Sequence, residues 1–77
     1  MPTILRVNGF RFFFFSNEKG EPPHVHIEKS GQSAKMWLSP VILQKSDGFK
    51  PHEINELLKL TREHKEELLE AWYEYFK

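Results

Sequence analysis

Apolar and polar residues alternate along the first forty-odd positions and then change period, which divides the chain into a strand-rich half and a helical half. Thr3–Val7 alternates with Leu5 and Val7 on one face and Ile4 and Arg6 on the other. Asn8-Gly9 follows, a pair that tolerates the positive φ angles of a type I′ hairpin, and Phe10–Ser16 reads as the returning strand. Phe12 to Phe15 are consecutive, so aromatic mass lies on both faces of that strand and both need cover. One cover is the core; the other is a loop, the C-terminal segment or another subunit. Asn17–Pro23 is a loop, because Pro22-Pro23 offers no ladder donor. His24–Lys29 and Ser33–Leu38 form two further strands around a turn at Ser30-Gly31-Gln32. Val41–Lys45 is short enough to be a strand or a helical turn, with a fifth strand preferred.

Beyond Ser46–Lys50 the period becomes helical. Pro51 suits a first helical position, and Ile54, Leu57, Leu58, Thr61, Leu68, Leu69, Trp72 and Phe76 recur at three- and four-residue steps. Lys65 interrupts that stripe. A helix over 51–76 would be about 39 Å long, against about 20 Å for the strands. Neither Gly nor Pro lies near Arg62–Lys65 to break it, so a continuous helix overhanging the sheet is expected. Its apolar end, Leu68, Leu69, Trp72 and Phe76, would then need a homodimer or a partner protein to cover it. The expected architecture is α+β: one domain over 1–77, with an antiparallel sheet of four to five strands (1–45) and one long C-terminal amphipathic helix (51–76).

With 77 residues and no cysteine, the domain has a thin core and neither disulfides nor zinc-thiolate sites to reinforce it. No secretory leader or membrane-length apolar run is visible, so a cytoplasmic location without membrane association is expected. The net charge is zero but uneven, about +3 up to Ser46 and about −3 from Asp47 onward. A basic stripe of the kind that by itself argues for nucleic acid is missing.

The chemistry concentrates in Pro22-Pro23-His24-Val25-His26-Ile27-Glu28. Alternation places His24, His26 and Glu28 on one strand face, and Val25 and Ile27 on the other, toward the core. Three uses of that row compete with a plainer one, a polar outer face whose histidines pack beside Phe or Trp. His24 and His26, about 6.6–7 Å apart along the strand, could chelate a metal ion. Glu28 in the same straight row would not converge with them, so a third ligand would come from elsewhere, such as His52 or His64. No metal or other cofactor is expected on balance. The two histidines could instead serve as acid and base in RNA cleavage, with Arg11 or Lys35, ahead of Arg6 and Lys29, at the phosphate. Or the face carrying Arg6, His24, His26, Glu28, Lys35 and Trp37 is a binding surface for protein or RNA. Isolated turn glycines and turn serines give neither a phosphate loop nor a nucleophile triad.

Several stretches together resemble the bacterial domain of unknown function 4160 family. They are Met1–Arg6, Gly9–Asn17, the Pro22–Lys29 motif, Ala34–Leu38, and Glu66–Trp72 with Tyr75-Phe76. The resemblance implies a small prokaryotic protein without assigned activity, often encoded beside a small protein of the unknown-function 2442 family. That arrangement looks like a toxin–antitoxin pair and implies a heteromeric partner, with RNA or DNA as a further target. The expected function is therefore partner binding in a toxin–antitoxin-like module, with a small ribonuclease as the alternative and a His-x-His metal site third. Binding is expected ahead of catalysis.

Overall fold

In the computed structural model, which describes residues 3–18 and 20–77, five antiparallel strands form a simple meander, β1 to β5 in order. Met1, Pro2 and Lys19, which belong to the N-terminal segment and to the loop before the histidine strand, lie outside the described residues. The strands are β1 (Thr3–Val7), β2 (Phe10–Phe13), β3 (His24–Lys29), β4 (Gln32–Leu38) and β5 (Val41–Asp47). The β1–β2 turn forms as Asn8-Gly9 predicts, with φ of 52° and 84°. Ser30-Gly31 repeats it between β3 and β4 with φ of 50° and 84°.

Two helices follow, α1 (Pro51–Glu63) and α2 (Lys65–Tyr75), and this corrects the expectation of one long helix. The chain leaves helical geometry at His64, with φ −105° and ψ 14°. A straight helix over 51–76 would be about 39 Å long, far longer than strands of four to seven residues, so the break keeps both halves against the sheet. Thr61 weakens the ladder just before the break, because its hydroxyl donates to the Leu57 carbonyl at 2.7 Å. Such back-bonding to the preceding turn bends helices without Gly or Pro. The interruption also falls beside Lys65, whose ammonium would otherwise sit in the middle of the apolar stripe. At the other end Pro51 opens α1, and the Glu53 carboxylate accepts from the Lys50 backbone N–H at 3.0 Å.

The core lies between one sheet face and the two helices, α1 along β5 and α2 along β4. Phe10, Phe12, Phe14, Val25, Ile27, Met36 and Leu38 are fully buried there with Leu57 and Leu68. Leu68 and Trp72, expected at an overhanging end, are buried inside this chain's own core, while Leu69 and Phe76 are half-buried against it. Phe13 is on the opposite sheet face, where the segment after β2 covers it. Phe15 packs edge-on to Phe13 at 5.3 Å and to His26 at 4.4 Å. The second cover of the phenylalanine strand is therefore a loop, and that loop also builds the site.

Candidate metal centre

Register determines what stands beside the histidines. His24 lies opposite Trp37 on β4, and His26 lies between Phe13 on β2 and Lys35 on β4. Glu28 faces Arg11. Cross-strand partners share a face with side chains about 4.5–5.5 Å apart at Cβ, so the row His24, His26, Glu28 is real. Its members do different things. Glu28 takes the Arg11 guanidinium at 2.8 Å, and Arg11 also donates to Thr3 Oγ1 and stacks on Phe13. Lys35 binds Glu21 at 2.7 Å and lies over the Trp37 ring. Arg6 is exposed on β1 opposite Arg11. His52 is exposed on α1 and His64 pairs with Glu67 at 3.2 Å, so neither approaches the histidine pair as a third ligand.

The third group is Glu18, which the sequence reading did not single out. It lies in the loop between β2 and β3, which folds back over the sheet. Its carboxylate stands 2.8 and 3.0 Å from His26 Nε2 and 2.9 Å from His24 Nε2. Ligand atoms of Glu18, His24 and His26 all lie within 4.8 Å of one another, and among the described residues these three form the cluster with metal-ligand character. A carboxylate six residues ahead of a His-x-His strand, in a loop short enough to turn back, was the available signal.

The site is nearly closed. His24 is fully buried, and the side chains of Glu18 and His26 are only 13% and 15% exposed. His24 sits edge-on to Trp37 at 5.5 Å, with Trp72 of α2 at 4.9 Å. Its Nδ1 is 2.9 Å from the Pro22 carbonyl. A carbonyl only accepts, so Nδ1 carries a proton, and Nε2 is the ring atom left to face Glu18. That Nε2 is buried and makes no hydrogen bond: it approaches Glu18 at 2.9 Å without the alignment one requires.

Electrostatics follows from the packing. Burial alone would raise the Glu18 carboxyl, but its contacts with His24 and His26 outweigh this and hold it below its ordinary value. Burial pushes His26 down, and the Glu18 contact only partly offsets that; the His24 ring and the Lys35 charge push the same way as burial. A neutral His26 beside an ionised carboxylate is the state that binds a cation.

Residues 9–73 match the sequence model of the family described as Domain of unknown function (DUF4160), and the chain belongs to that family. No curated protein and no solved structure matches it. Among the described residues, no helix is long and apolar enough to cross a membrane.

Proposed function

We propose that this protein binds one divalent transition-metal ion of the zinc class, held by His24 Nε2, His26 Nε2 and the Glu18 carboxylate. The observation that carries this reading is the buried, unpartnered Nε2 of His24, turned toward a carboxylate while Nδ1 is engaged by the Pro22 carbonyl. An imidazole nitrogen 2.9 Å from a carboxylate calls for a cation between the two, either a proton or a metal ion. The Pro22 carbonyl is the type of partner that orients a metal-binding histidine and fixes its tautomer. Two imidazoles and one carboxylate form a zinc-type donor set that leaves a fourth position for water or a ligand. Around a tetrahedral zinc such atoms stand about 3.3 Å apart; the carboxylate contacts of 2.8 to 3.0 Å lie just inside that spacing, and the two imidazole nitrogens, within 4.8 Å of each other, would close toward it.

Direct acid–base cleavage of RNA by His24 and His26 is supported less, since His24 has no exposed surface to meet a substrate. Partner or RNA binding in a toxin–antitoxin-like module remains compatible with a metal site. Its RNA arm gains no support from Arg11, which is engaged by Glu28. The test is elemental analysis of untagged protein, followed by zinc titration of the wild type and of His24→Ala and His26→Ala. One ion per chain, lost in both variants, is expected. Binding that is absent, or that survives both substitutions, refutes the proposal.

A further inference from the structure

A cation stands one strand over from the candidate metal centre: Lys35, across from His26. His24 is sealed, so a fourth ligand can approach only past the partly exposed Glu18 and His26. Lys35 is the direct cross-strand neighbour of His26. Its ammonium is itself partly exposed and is neutralised by Glu21, from the same loop as Glu18. The Glu21 side chain is 42% exposed, and ion pairs open to solvent are weak. An incoming anion therefore displaces Glu21 at little cost. Lys35 Nζ lies 4.9 Å from the centre of the Trp37 ring, and Trp37 is the cross-strand partner of His24.

Resting on the metal reading, we propose that the loaded centre and Lys35 together form an oxyanion subsite that takes a phosphate group. One phosphate oxygen would occupy the open metal position, and a second would accept from Lys35 Nζ in place of the Glu21 carboxylate. Phosphate offers several charged oxygens on one centre, which suits a metal ion and an ammonium held side by side. The ligand class is thus a phosphate or a phosphate monoester.

The experiment uses the full chain loaded with one equivalent of zinc and titrated with inorganic phosphate by calorimetry. Wild type, Lys35→Met and Glu21→Gln are compared, and zinc affinity is measured first without phosphate. Lys35→Met is expected to weaken phosphate binding about tenfold or more, the loss expected of one charge-assisted hydrogen bond. Glu21→Gln, which removes the competing carboxylate, is expected to tighten it. Equal phosphate affinity in all three proteins, with zinc binding intact, overturns the subsite and leaves the metal reading standing. Failure to bind zinc at all overturns both.

Discussion

Glu18→Gln separates a site poised for a cation from a carboxylate that is merely buried. The substitution preserves shape and one acceptor oxygen but removes the charge. In the metal-free protein Glu18 makes contacts of 2.8, 2.9 and 3.0 Å with two imidazoles. The loss should equal one charge-assisted hydrogen bond, about 1.5–3 kcal/mol. A chain of this length has a total stability of about 4–12 kcal/mol, so the effect is large. At about 4–8 °C per kcal/mol for domains of this size, Tm in EDTA should fall by at least about 6 °C. Both tryptophans flank His24, so intrinsic fluorescence during thermal or urea unfolding reads the site directly. Zinc adds a second comparison: at a hundredfold excess over Kd a native-state ligand stabilises by about 2.7 kcal/mol. Wild type should gain that stabilisation and Glu18→Gln should gain little. If desolvation of the carboxylate dominates instead, the variant will match or exceed wild type in EDTA. That result would refute the account of Glu18.

Acid should destabilise the metal-free protein in two steps. His26 lies below its ordinary 6.5, so the unfolded chain takes up that proton first, and stability falls as pH drops from 6.5 toward the folded value. Glu18 lies below its ordinary 4.5, so its contribution is present above 4.5 and is lost as pH falls through the folded value. Urea midpoints in EDTA should therefore decline from pH 7 to 3, with the upper step missing in His26→Gln; a midpoint rising between pH 7 and 5 contradicts this. Trp72→Ala removes a ring packed against Phe14, His24 and Phe76 at 5.3, 4.9 and 4.2 Å. It should cost about 3–5 kcal/mol, read as a lowered urea midpoint by circular dichroism; a loss under 1 kcal/mol would show that α2 is not anchored there. Glu28→Gln, by contrast, removes the charge of the exposed partner in the Arg11 pair and should shift the urea-derived stability by no more than about 1 kcal/mol, and a larger loss would give that pair a structural weight not assigned to it.

The parts of the fold written in local rules could be read from the sequence. Asn8-Gly9 specified a turn because its φ angles are a property of two residues, and alternation placed His24 and His26 together because a strand has a period of two. The break at His64 could not be read by looking for Gly or Pro. It follows from a Thr61 hydroxyl bonding backward and from a helix too long for its sheet, and the second is a property of the whole molecule. Glu18 escaped because a loop has no period: only the return of the chain over β3 brings its carboxylate to both imidazoles. The same return explains why a row expected to face outward contains a fully buried His24. The loop, together with Trp37 and Trp72, seals the end of the strand.

The coordination shell of the zinc-loaded protein tests the central claim most directly. X-ray absorption at the zinc edge should show two imidazole nitrogens and carboxylate oxygen at about 2.0–2.2 Å. A shell of oxygen alone, without imidazole scattering, would place the ion elsewhere and contradict the assignment of Glu18, His24 and His26.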